Sequence, residues 1–165
     1  MSQQIELHAA LDVPAGLARE ELARVMQAIH ERKPPYEDAA LHVGLRDLRL
    51  PVSGEIGIPI TTGVVDRPLQ YTCTLKIAAA EGTELFPTFD GTISVSPVGS
   101  SACELWLQGR YEVPFGAVGA AIDATLFRGT AKRSLNGLLE FLAKTIGENV
   151  KREQANQITR HRGPV

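Results

Sequence analysis

Hydrophobic and polar residues change their spacing twice along this chain, from strand to helix and back, before a long helical stretch closes it. Ile5, Leu7, Ala9, Leu11 and Val13 alternate with Glu6, His8, Ala10 and Asp12, the period of a strand with one buried face. Pro14-Ala15-Gly16 ends that strand. Ala18, Leu22, Val25, Met26 and Ile29 then recur at helical spacing, which predicts an amphipathic helix that Pro34-Pro35 must stop. Five strand-like segments follow without an intervening helix. In the first, Leu41, Val43 and Leu45 are succeeded by Leu48 and Leu50 one residue out of phase, which predicts a bulge near Arg46-Asp47. Ile56, Ile58, Ile60, Thr62 and Val64 line one face of the second, where Pro59 argues for an edge or a bulge. The third carries the clearest alternation, Leu69, Tyr71, Cys73, Leu75 and Ile77. Leu85, Phe89, Gly91, Ile93 and Val95 form the inner face of the fourth, and Leu105, Leu107, Gly109, Tyr111 and Val113 that of the last, across a hairpin-like turn at Pro97 to Ser101.

From Ala117 to about Val150 the spacing is helical again. Leu135, Leu138, Leu139, Leu142, Ile146 and Val150 make one apolar stripe, while Val118, Ile122 and Leu126 make another, more than roughly 100° away on a straight helix. Either the helix bends or breaks near Phe127-Arg128-Gly129, or its first half is covered on two sides, with Ala121, Ala124 and Thr125 toward the sheet. Residues 151–165 turn polar and lose the stripe, so residues 1–150 are expected to form a single domain followed by a frayed tail.

Composition narrows the function classes. The chain of 165 residues is 44% hydrophobic, enough for one sizeable core. A net charge of -2 gives no reason to expect a nucleic-acid surface, since phosphate binding relies on clustered Lys and Arg. No apolar run approaches a membrane span, and the start lacks the pattern of a signal peptide, so the protein is expected in the cytoplasm. Cys73 and Cys103 fall in separate strands and read as buried free thiols; His8, His30, His42 and His161 are scattered, with no metal-ligand spacing. No cofactor or metal is expected.

Consecutive strands joined by short turns imply an antiparallel meander. The order strand, helix, five-stranded meander, long C-terminal helix is that of an α+β helix-grip fold, a curved antiparallel sheet of about six strands wrapped around the last helix. The stretch from Leu107 to Gly119 (LQGRYEVPFGAVG), followed by Ile122-Asp123 and Leu126, resembles the last strand and helix entrance of the SRPBCC superfamily, which includes START-like, pollen-allergen-like and polyketide cyclase/dehydratase domains. The resemblance implies an internal apolar cavity that holds a lipid, a sterol or an aromatic polyketide in many members. It carries no shared catalytic residue.

The site is therefore read from the residues themselves. Thr62, Tyr71, Cys73 and Tyr111 are polar or polarisable groups on otherwise apolar inward faces, able to orient a ligand, or simply to satisfy one another in an ordinary core. Phe89 and Leu107 supply an apolar wall opposite the small Ala121 and Thr125, and Gly91 and Gly109 are expected to widen the space. Asp123 suits the start of the helix electrostatically and lacks a partner for acid–base work. Trp106 falls on the outer face and suits a surface or partner contact. Three classes stay open: a carrier or sensor of a hydrophobic small molecule, a cyclase or dehydratase, and a protein-interaction module with a filled interior.

Overall fold

The alternating segments become six strands and the two helical stretches become helices, in the order β1 (Ser2–Leu11), α1 (Ala15–His30), β2 (Ala40–Gly44), β3 (Glu55–Val64), β4 (Thr72–Ile77), β5 (Thr88–Val98), β6 (Ala102–Glu112) and α2 (Ala124–His161). They belong to a computed structural model that describes residues 2–36, 40–44, 55–64, 72–77, 88–112 and 124–161. All pairings are antiparallel and the strand order is β1-β6-β5-β4-β3-β2, so β1 returns across the meander to pair with its last strand. The suggested bulge at Arg46-Asp47, with Leu48 and Leu50, lies outside the described residues.

Among the described residues, 55–59 of β3 pair with β2 and 60–64 with β4. Pro59 stands opposite Ala40, and β3 lies between β4 and β2 in the strand order, so it is not an edge of the sheet. The β5–β6 hairpin closes between Val98 and Ala102, with Gly99 at φ 74, in the left-handed region that glycine enters without strain.

Helix α1 buries Ala18, Leu22, Val25, Met26 and Ile29, the expected stripe, and also Glu21. Its stop lies before the prolines. Arg32 adopts φ 50 and the Lys33 N–H reaches back to the Ala28 carbonyl at 3.0 Å, a left-handed closure that caps the last turn.

Helix α2 buries Leu135, Leu139, Leu142, Ile146 and Val150 against the same core as β1, α1, β5 and β6. It passes through Gly129 without a break; Val118 and Ile122 of the other stripe lie outside the described residues. The expected fraying after Val150 does not occur: helix continues to His161 although residues 151–160 are exposed. Good helix formers fill that segment, and Arg24 of α1 reaches Glu153 at 3.4 Å, tying the extension to the neighbouring helix.

The backbone of α2 approaches β1, β2 and β6, with no comparable approach to β3, β4 or β5 among the described residues. Six strands about 4.8 Å apart would hold the edges of a flat sheet roughly 24 Å from each other. One helix meets both edges and comes closer to them than to β3, β4 or β5 only if the sheet curls around it. The alternation in the sequence selects the faces; the curl converts the inner face into an enclosure.

Candidate functional site

The register assembles the inner face row by row, because residues directly opposite in antiparallel strands share a face. One row runs Ile60, Ile77, Phe89, Tyr111 and Gln3; the next runs Thr62, Leu75, Gly91, Gly109 and Ile5; a third runs Val64, Cys73, Ile93, Leu107 and Leu7. Thr62 and Cys73 hold register positions in these rows, and Phe89, Leu107 and Tyr111 are buried. Thr125 is placed in the first turn of α2. Tyr71, Ala121 and Asp123 lie outside the described residues.

Two expectations about this surface change. Gly91 and Gly109 face each other across β5 and β6, yet they leave no free space. A Cβ on Gly109 would stand 2.5 Å from Cζ of Phe89, and one on Gly91 would stand 2.5 Å from the same atom. The ring of Phe89 therefore lies over both glycines and fills the volume their missing side chains leave. The second change concerns Tyr111, which is 1% exposed. Its hydroxyl donates to Oε1 of Gln3 at 2.6 Å, so this hydroxyl is anchored by the protein. Gln3, at the start of β1, was not singled out by sequence because a Gln beside another Gln at a chain end carries no periodic signal.

Glu21 is the other residue that the sequence did not mark. Its carboxylate is buried between α1 and α2, where it accepts from Arg24 Nη1 at 2.5 Å and from Asn149 Nδ2 at 2.7 Å. Both oxygens are thereby satisfied, which is the condition for keeping a carboxylate inside. Burial, with Glu21 adding in smaller measure, raises the Tyr36 phenol above its ordinary range. This polar knot fixes one helix on the other and lies apart from the inner face of the sheet.

Cys103 is 1% exposed and unpaired. Burial pushes its thiol up, against a weaker opposing effect of Arg19. Cys73 cannot reach it: Cys73 stands opposite Ile93, which stands opposite Leu107, four residues from Cys103. The two Cα atoms are roughly 13 Å apart along the strands and roughly 10 Å across them, well beyond the ~7 Å limit of a disulfide. Trp106 is on the outer face as expected, stacked on His8 with ring centroids 5.2 Å apart. No group of three or more His, Cys, Asp or Glu residues comes together among the described residues. No helix among them is long and apolar enough to cross a membrane.

A curled antiparallel sheet with an apolar concave face closed by a long C-terminal helix is a helix-grip fold. Solved structures with this fold match nearly the whole chain. A norcoclaurine synthase point mutant from Thalictrum flavum, in complex with a transition state analogue, aligns with TM-score 0.57 and 14% identity over 93% of this chain and 97% of its own. A conserved protein from Geobacillus kaustophilus aligns with TM-score 0.54 and 18% identity over 90% and 96%. Ara h 8.0201 aligns with TM-score 0.54 and 12% identity over 92% and 99%. No protein-family model and no curated protein matches the sequence. At these identities the likeness is one of fold.

Proposed function

We propose that the protein binds a hydrophobic small molecule of lipid-fragment or fused-ring size, enclosed between the sheet and the first turns of α2. The observation that carries this reading is the apolar face between the two helices: the register sets Phe89 opposite Tyr111 and Ile93 opposite Leu107, all four buried, while α1 approaches β3 and β5 and α2 approaches β1, β2 and β6. A guest enclosed there would meet apolar walls from sheet and helices alike. The complex of one enzyme of this fold with a transition state analogue supports the same reading.

The polar groups assigned to the ligand are Thr62, Tyr71 and Cys73, with Phe89, Leu107, Ala121 and Thr125 as apolar or small walls and Tyr111 as a residue whose hydroxyl Gln3 already orients. We take a non-catalytic carrier or sensor as the first reading and a cyclase or dehydratase as its alternative; the His8 and Glu104 side chains, 3.9 Å apart, belong to the outer face that carries Trp106. We place the protein in the cytoplasm, with both cysteines as thiols. Native mass spectrometry of freshly purified protein, together with titration of a fluorescent apolar probe, tests the reading. A co-purifying lipid or aromatic, or saturable one-to-one probe binding at micromolar protein, is expected. Absence of both would replace it with an interaction module whose interior is filled, the alternative favoured by the way Phe89 occupies the glycine trough.

A further inference from the structure

Strand β1, one edge of the sheet, has 10 residues paired to β6 in one unbroken register and carries no Lys, no Pro and no bulge. A long edge without such devices offers its outer backbone groups to another strand. Beside it, between β1 and α2, runs an open groove of about 560 Å³. Its small residues are Ala9, Ala10, Ala143 and Gly147, and a Cβ on Gly147 would meet nothing within 4 Å.

The charges lining this groove decide what fits it. On α2 they are Glu140, Lys144, Glu148 and Lys151, one stripe at helical spacing with alternating sign. Turned end for end, the series matches its own complement: Glu140 faces Lys151 and Lys144 faces Glu148. On β1 the polar pair His8 and Asp12 flanks Ala10 in the same way, each opposite the other when Ala10 faces its copy. We infer that this groove is the interface of a two-fold dimer, in which a second copy of the chain sets its own β1 edge and α2 stripe antiparallel against the first. A two-fold interface must be complementary to itself, and this charge order is. The one ion pair now within the stripe, Lys144 to Glu148 at 4.0 Å, is solvent-exposed and holds its partners weakly, so both can pair across the axis.

The test is a charge exchange on the full chain, read as mass by sedimentation and light scattering, with circular dichroism to confirm that each variant keeps its helix. At about 100 µM, where a Kd of that order leaves about half of the chains paired, the wild type should show a mass well above the 17.8 kDa of one chain that rises toward twice that value with concentration. The K144E/K151E variant makes the stripe wholly negative and E140K/E148K makes it wholly positive. Each should be monomeric alone, with Kd raised by about tenfold or more, and an equimolar mixture of the two should restore the dimer as a heterodimer. A monomeric wild type overturns the inference, and so do variants that dimerise alone or a mixture that stays monomeric.

Discussion

Adding a single methyl group at Gly109 tests how the inner face is packed. In a strand, replacing Gly by Ala ordinarily stabilises by about 0.4–1 kcal/mol, because the unfolded chain loses freedom. Here the added carbon would stand 2.5 Å from the Phe89 ring tip, 2.6 Å from the Asp90 carbonyl oxygen and 2.7 Å from Gly91 Cα. Each is inside van der Waals contact, so the ring must leave its trough or the two strands must part. Overpacking of this kind costs about 1–3 kcal/mol, which exceeds the entropic gain and makes the net effect destabilising. For a chain of this size about 1 kcal/mol corresponds to roughly 2–4 °C in Tm. Urea denaturation of Gly109→Ala, alone and with Phe89→Leu, measures the effect. Shortening Phe89 removes the ring tip and should recover part of the loss, a coupling of about 0.5 kcal/mol or more, while the backbone contacts keep the recovery incomplete. A neutral or stabilising Gly109→Ala, or a double variant whose loss is the plain sum of the singles, would refute the placement of the ring.

Three further outcomes follow from the same contacts. Tyr111→Phe should lower stability by about 0.5–1.5 kcal/mol through loss of the bond to Gln3, measured by urea denaturation, with Gln3→Leu costing no more in that background. Glu21→Ala strands Asn149 Nδ2 and leaves Arg24 its longer contact to Glu153, and should cost about 1–3 kcal/mol, with Glu21→Gln milder because it still accepts from Asn149; thermal denaturation of the three proteins settles the order. Because burial raises the Cys103 thiol, the folded state keeps its proton where the unfolded chain has lost it. That stabilisation is complete below the unfolded thiol value of about 8.5 and is lost as pH rises through the folded value, so the alkaline fall in urea midpoint should be shallower in Cys103→Ala.

The sequence by itself determined which residues face inward. The alternation of Leu7, Leu11 and Val13, of Ile93 and Val95, and of Leu105 and Leu107 is local, and so is the helical spacing of Leu135, Leu139, Leu142 and Ile146; each became buried where the period placed it. Period alone also gave the helix-grip order of elements, since short turns leave consecutive strands little choice but to pair. What only the tertiary structure decided involves residues far apart in the chain. The pairing of Gln3 with Tyr111, and of Glu21 with Asn149, depends on β1 returning to β6 and on α1 lying against α2. No propensity encodes such meetings; they appear when curled sheet and helix bring polar groups into a space where each must find a partner. Gly91 and Gly109 read in sequence as missing volume, but a rotamer of Phe89, chosen by packing density, fills it. The same reasoning covers the end of α2: an apolar stripe stops at Val150, yet helix persists to His161, because propensity and a neighbouring helix sustain what burial does not.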